Sequence, residues 1–194
     1  MLERVVRGEV PRKHHVAFRD AEGRLRHEEC LTRAGFDGPY TIAYHLRRPH
    51  AQHLAELDHG WEVPAPAPPR RIAKRHYRTQ DLEARGGPPL DARVPLLFNG
   101  DVVIGLVTPT AEDRVYFANG DADDLYYVFD GGGLLRCPLG DLRFARDDYV
   151  YVPRGLKHRL VPDPGPQRWL SIECLGGAGA GTSQPWSSSA RCCA

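Results

Sequence analysis

Short apolar runs separated by turn residues dominate the chain between residues 71 and 174. The runs are rich in Val, Leu, Ile, Tyr and Phe, and Gly, Asp, Asn and Pro bound them. Such alternation of strand-forming and turn-forming segments is typical of an antiparallel sandwich or barrel. The successive runs are RVPLLF, VVIGLVT, RVYFA, LYYVF, LLRCPLG, LRFA, YVYVP, HRLVP and QRWLSIECL. No amphipathic helical pattern of useful length interrupts them, so the pattern predicts an all-β fold over 71–174.

The residues before this region form a polar N-terminal extension over 1–62 and a Pro-rich linker over 63–70. Within the extension, VAFRD and AEGRLRHEECL predict a short hairpin that turns between Asp20 and Gly23. The segment 50–61 predicts one short helix, because Leu54 and Leu57 would share a face. Proline fixes the backbone φ angle, so the linker should be extended and stiff.

The last segment, 175–194, is built largely from Gly, Ala and Ser, and Arg191 is its only charge. A segment of this kind buries too little apolar surface to offset the entropy lost on ordering. We therefore expect it to be disordered.

Charge and cysteine content narrow the function classes. The chain has 194 residues and a net charge of +1, so no overall field favours nucleic acid or an anionic membrane, and we expect neither as a partner. No signal peptide and no stretch of about 20 apolar residues is visible. Five cysteines without a CxxC motif favour free thiols in a reducing cytoplasm. The local basic stretch is interpreted as a solvated or interface segment and consists of Arg70, Arg71, Lys74, Arg75 and Arg78.

Two segments, DDLYYVFDGGG (123–133) and DDYVYVPRGLKH (147–158), resemble the two-part cupin pattern. In a cupin, His-x-His and a Glu lie on an inward-facing strand, since residues two apart point to one face. The positions that fit this pattern are Asp124 in place of the Glu, Gly131, Pro153, Gly155 and His158. The fold class predicted is therefore a cupin-like double-stranded β-helix, with Tyr126 and Val128 facing inward beside Asp124.

The two positions where the His pair belongs carry Ala118 and Gly120. Iron or zinc normally needs at least three protein ligands, and here one Asp and one His remain. The sequence therefore predicts no metal in this chain. The alternative is that Asp124 and His158 hold a weakly bound ion together with water, and for His158 alone a structural histidine at a turn is the simpler interpretation.

Several blocks of the chain resemble the N-terminal half of homogentisate dioxygenase, over roughly residues 5 to 174. The blocks are GEVPRKHHVAFRD, RHYRTQDL, PLLFNGDVVIGLVTP, NGDADDLYYVFDGGG and GDLRFARDDYVYVPRGLKHRL. The resemblance implies a two-half enzyme of tyrosine and phenylalanine catabolism that opens an aromatic ring with dioxygen. It further implies a metal-free N-terminal half, a C-terminal half that binds Fe(II) through two His and one Glu, and assembly into oligomers.

The resemblance stops near Cys174, and no position here matches the implied iron triad. We therefore expect a truncated, non-catalytic half, and no catalytic residue can be assigned in it. We expect this half to form a homo-oligomer or to pair with a missing C-terminal cupin half. The biased composition of the segment 175–194 suggests translation out of frame after a deletion or sequencing error, or a gene fragment. That hypothesis fails if no other frame downstream of codon 174 encodes a second barrel with two His and a Glu.

Other residue clusters give weaker hypotheses. A zinc site at His45, His50, His53 and His59 is weighed against a surface or subunit contact, which is favoured. Cys137 has only Arg136 as an adjacent cation, so a reactive thiol is not favoured. Nucleophile elbows, dinucleotide fingerprints and P-loops are absent from the sequence.

Two other functions remain open beside the dioxygenase lineage. One is a metal-free cupin module that binds a small molecule in an apolar mouth, and the other is a structural or oligomerisation module. By resemblance, a small aromatic acid is the substrate class that the intact enzyme would take.

Overall fold

The computed structural model describes residues 17–32, 40–49, 65, 67–68 and 71–175. These residues belong to two compact units, one N-terminal and one that contains all residues from 65 onward. The expected helix over 50–61 and most of the predicted linker and tail lie outside the described residues. So do three of the four histidines weighed as a zinc site, namely His50, His53 and His59.

The N-terminal unit contains the predicted turn and one additional pairing. The Gly23 amide donates to the Asp20 carbonyl at 3.0 Å, and Arg19 pairs with Leu25 in an isolated bridge. The hairpin predicted at this point is confirmed. Strand β1 (His27–Thr32) then pairs antiparallel with β2 (Tyr40–His45), which the sequence pattern did not predict.

Eight strands form two antiparallel sheets in the second unit. The strands are β3 (Arg93–Phe98), β4 (Val102–Val107), β5 (Asp123–Asp130), β6 (Gly132–Cys137), β7 (Gly140–Ala145), β8 (Tyr149–Val152), β9 (Arg159–Pro162) and β10 (Arg168–Cys174). One sheet has the order β3-β4-β10-β5-β8 and the other has the order β7-β6-β9. One 3-10 helix, Thr79–Asp81, precedes them, and no helix in the described residues is long and apolar enough to cross a membrane.

The chain passes repeatedly from one sheet to the other. Strand β5 continues into β6 of the second sheet, β7 leads back to β8 beside β5, and β9 leads to β10 on the other side of β5. This interleaved connection is the double-stranded β-helix arrangement, so the predicted all-β, cupin-like fold is confirmed.

One predicted strand is missing from the ladder. The run RVYFA (114–118) contains only an isolated bridge between Phe117 and His158. The Asp113 amide donates to the Leu160 carbonyl, while Phe117 and His158 exchange backbone hydrogen bonds. Four residues on one side therefore span two on the other, so the run bulges away and cannot pair continuously.

The core lies between the sheets and follows the alternation of β5. Asp124, Tyr126 and Val128 are buried, whereas Phe129 is exposed. The predicted inward register of Tyr126 and Val128 is therefore confirmed. Trp169 of β10 is equally buried, and its ring lies edge-on to that of Tyr126, with centroids 6.2 Å apart.

Glycines make the crossing from β5 to β6 possible. Gly131 has a φ of 88°, which side-chain-bearing residues rarely adopt, and a Cβ built there would lie 2.0 Å from Oε1 of Gln167. That oxygen accepts hydrogen bonds from the Gly132 amide at 3.0 Å and from the Trp169 indole at 3.1 Å. Gln167 therefore ties the corner to the core, and it needs the space that Gly131 leaves.

We expect Gly131→Ala to lower the free energy of unfolding by about 3 kcal/mol, because a strained φ and a displaced Gln167 add up. Urea denaturation measures this loss. Gly165→Ala is the control for strain alone, since Gly165 has a φ of 115° and no atom within 4 Å of its Cβ position. A Gly131→Ala loss no larger than that of Gly165→Ala would show that the Gln167 contact is unimportant.

Candidate functional site

A buried polar cluster occupies the interior beside the aromatic core. Arg93, at the start of β3, is 3% exposed, and its guanidinium donates a hydrogen bond to the Tyr126 hydroxyl. Its central carbon lies 5.5 Å from the centroid of the same tyrosine ring. A second guanidinium nitrogen lies 3.6 Å from Oδ1 of Asp124. A full positive charge therefore lies among side chains contributed by β5.

Two carboxylates lie side by side on the inner face of this sheet. Asp124 on β5 and Glu173 on β10 are register partners, and both are buried. The side-chain nitrogen of Asn119 donates to Glu173 Oε1 at 2.6 Å and lies 3.4 and 3.5 Å from the two oxygens of Asp124. Asn119 thus bridges carboxylates that would otherwise only repel each other.

The loop before β5 holds Asn119 in this position. Its side-chain oxygen accepts hydrogen bonds from the amides of Asp121 and Ala122, at 3.0 and 3.1 Å. Its backbone carbonyl accepts from the Gly155 amide at 2.7 Å. Gly155 has a φ of 81°, so the Pro153–Gly155 turn presents its amide to the loop.

His158 is buried, as the inward position requires, but it is used structurally. Its Nδ1 lies 3.0 Å from the Leu156 carbonyl, so this nitrogen carries the proton. Its ring packs edge-on against Phe117 with a centroid separation of 5.9 Å. The interpretation of His158 as a histidine hydrogen-bonded at a turn fits this geometry.

Burial and neighbouring charges set the protonation of the cluster. Burial raises the pKa of Asp124 to about 6, against the opposing effect of Arg93, and Glu173 raises it further. Burial alone would lower the pKa of Arg93, but Tyr126 and Asp124 outweigh it, so the pKa of the guanidinium is raised. Burial lowers the pKa of His158, and the charge of Arg93 adds to the decrease. Arg93 is therefore the permanent cation of the interior, and His158 is neutral at neutral pH.

The two positions expected for the His pair do not face the interior, as the cupin pattern implies that they should. Ala118 and Gly120 are both exposed, and the residue between them, Asn119, is the one that is buried. Strand β5 begins only at Asp123, so the two-residue periodicity does not extend back to these positions. The placement of Ala118 and Gly120 as inward residues was therefore wrong, although neither residue could ligate a metal.

The remaining predicted positions serve the backbone. Gly131 forms the corner between the sheets, and Pro153 directly follows β8. In the N-terminal unit, His45 Nε2 lies 2.8 Å from a carboxylate oxygen of Glu29. Burial raises the pKa of Cys137, which disfavours a reactive thiolate, as the sequence indicated.

The iron that cupin dioxygenases use does not fit this donor set. Among the described ranges, no group of three or more His, Cys, Asp or Glu residues is placed to hold a metal ion. Asp124 is already matched with Arg93, and a guanidinium cannot act as a ligand because it has no lone pair to donate.

Sequence reasoning missed three members of this cluster, namely Arg93, Asn119 and Glu173. Arg93 and Glu173 each stand within an apolar run, RVPLLF and LSIEC, where a charged residue is unusual unless it is paired. That signal could have marked both as interior partners. Asn119 lies in a loop and gave no periodic signal.

Comparison with known proteins gives one clear relative. The chain is 31% identical over 157 residues to a Saccharolobus solfataricus protein named "Putative dioxygenase SSO1533". The match covers 79% of this chain and 39% of that protein, so the chain spans well under half of its relative. No protein-family model matches the chain.

Solved structures with a similar fold are distant. A double-stranded β-helix protein from Klebsiella pneumoniae has a TM-score of 0.45 and 18% identity, and the match covers 55% of this chain and 95% of that one. A cupin protein from Bacteroides fragilis has a TM-score of 0.42 and 16% identity, with 59% and 92% covered. Because both scores are low, the fold assignment rests on the strand topology described above.

The raised pKa of Asp124 predicts a specific pH dependence. The folded chain binds this proton more tightly than the unfolded chain, whose Asp pKa is about 3.9, so the Asp124 contribution to stability falls as pH rises from about 4 to 6. The free energy of unfolding of the native chain, minus that of the Asp124→Asn variant, should therefore decrease by about 3 kcal/mol over this range. Above this range the difference should stay constant.

Denaturation of both proteins across this pH range measures the difference. Burial lowers the pKa of His158, so its contribution to stability changes with pH in the opposite direction, but His158 is present in both proteins and cancels in the difference. A difference that does not vary with pH would contradict the burial effect on Asp124.

Proposed function

We propose that this chain is a non-catalytic cupin half of a ring-cleaving dioxygenase of the homogentisate type. In this role it supports a separate iron-bearing cupin region and performs no redox step itself. The observation that carries the proposal is the buried pairing of Arg93 with Asp124 at the position where the cupin pattern places a metal ligand. Iron chemistry therefore has to come from residues outside those described here.

The relative in Saccharolobus solfataricus supports the dioxygenase part of the proposal. That protein is named "Putative dioxygenase SSO1533", and the matched region covers 39% of it, which leaves ample length for another cupin region. We expect the iron ligands and the site for a small aromatic acid to lie in that other region. Tyrosine and phenylalanine catabolism in the cytoplasm is the setting that this proposal implies.

In this role the residues of the chain stabilise the fold, and they take no part in proton transfer. Gln167 fixes the corner between β5 and β6, and Asn119 links the loop before β5 to β10. The two sheets then form a rigid body that a second cupin region or another copy of the chain can pack against. A homo-oligomer or a complex with the iron-bearing half is the assembly that we propose.

Among the described residues, no contact favours the alternative function, the binding of a small molecule in the interior. Trp169, Tyr126 and Phe144 are buried together at the centre of the fold, and the Phe144 and Trp169 rings lie 5.4 Å apart. These rings therefore occupy part of the interior in which a ligand would have to bind.

The pure chain should not oxidise homogentisate. After anaerobic loading with Fe(II), we expect no substrate-dependent oxygen uptake above a buffer control, since the described donors do not form an iron triad. An oxygen electrode gives the measurement, and an enzyme with established homogentisate dioxygenase activity, treated identically, is the positive control. Oxygen uptake by the native chain that Asp124→Asn abolishes would overturn the proposal.

A chimera tests the supporting role directly. Residues 71–174 of this chain would replace the matching segment of the relative, and the chimera should fold and retain oxygen uptake within about tenfold of its parent, a loss of about 1.4 kcal/mol in transition-state stabilisation. A folded, iron-loaded chimera without activity would show that the two regions are not interchangeable halves.

A further inference from the structure

The interior of the second unit combines an apolar core with a set of buried polar and charged side chains that includes Arg93. Val107, Val128 and Trp169 are each at most 1% exposed, and Val128 and Trp169 lie on β5 and β10, two of the strands that contribute the polar cluster. An ion in such surroundings is costly unless opposite charge and hydrogen bonds compensate it. The charged side chains placed there must therefore balance one another.

We infer that the guanidinium of Arg93 takes the place of a bound metal as the fixed cation around which the interior of this cupin fold is organised. A metal in a cupin draws together carboxylate and imidazole groups from several strands. Here Arg93 on β3 reaches Asp124 and Tyr126 on β5, and Asn119 joins Asp124 to Glu173 on β10. The cation on β3 thus contacts two side chains of β5 directly, and Asn119 extends the cluster to β10.

The planar shape of the guanidinium suits this role. Separate nitrogens contact the Tyr126 hydroxyl and the Asp124 carboxylate, and the group also lies over the tyrosine ring. A lysine ammonium is a point charge and could not keep all three contacts in one geometry. The arrangement would operate whether or not the chain partners an iron-bearing half, because it concerns the stability of this unit alone.

A built-in cation has a further consequence for metal binding. A divalent ion at Asp124 would lie close to the positive charge of Arg93 and would have to displace it. The fold should therefore need no metal and should gain nothing from one.

A double-mutant cycle on Arg93 and Asp124 tests the inference in the full-length chain. Arg93→Met removes the charge and leaves two carboxylates without their cation, so Tm should fall by about 10 °C. Asp124→Asn alone should cost less, because Arg93 keeps Tyr126 and the neighbouring Glu173. In the double variant the decrease in Tm should be smaller than the sum of the two single decreases. The difference should be about half of the decrease caused by Arg93→Met alone.

The matched control is the exposed pair of Arg143 and Asp163, whose closest nitrogen and oxygen lie 2.8 Å apart. The same two substitutions there should change Tm by no more than about 2 °C and show no measurable coupling. Additive losses at Arg93 and Asp124 would overturn the inference. If Arg93→Met does not fold, Arg93→Lys takes its place in the cycle, and additivity with Asp124→Asn is again the contradicting result.

Metal titration supplies an independent test. Neither excess Mn²⁺ nor EDTA should shift the Tm of the native chain. A rise in Tm with Mn²⁺ that Asp124→Asn removes would show that the interior binds a divalent ion despite Arg93, and would overturn the inference.

Discussion

A single buried ion pair determines which side chains the interior of this β fold can hold. Arg93 and Asp124 face each other from β3 and β5, and removing either partner of such a pair usually costs about 3–5 kcal/mol. The Tyr126 hydroxyl accepts a hydrogen bond from the same guanidinium, and the side-chain nitrogen of Asn119 lies against the Asp124 carboxylate. Because the surrounding layer is apolar, any change of charge in the cluster must be matched by another within it.

The strand pattern and the turns of the fold could be predicted from the sequence because they depend on local chemistry. Alternation in LYYVF placed Tyr126 and Val128 inward, and the structure buries both. The glycines at 131 and 155 adopt positive φ angles, which is why a turn residue was required at each.

The contacts of the candidate site were harder to predict because they depend on pairing between distant strands. Arg93 meets Tyr126 across 33 positions of sequence, and Asn119 meets Glu173 across 54. The positions of Ala118 and Gly120 were misjudged for a related reason, since the loop before β5 has no fixed periodicity. The pairing of β1 with β2 was missed because neither segment has a clear alternation of apolar and polar residues.

The position of β10 in the sheet also bears on how this chain folds during synthesis. β10 is the last of the strands in the described residues, yet it lies in the middle of its sheet, between β4 and β5. Until the ribosome has released this strand, β3 and β4 cannot join β5 and β8, and both groups expose unpaired edges. Such non-local pairing slows folding, and the unpaired edges can associate with those of other nascent chains before β10 is in place.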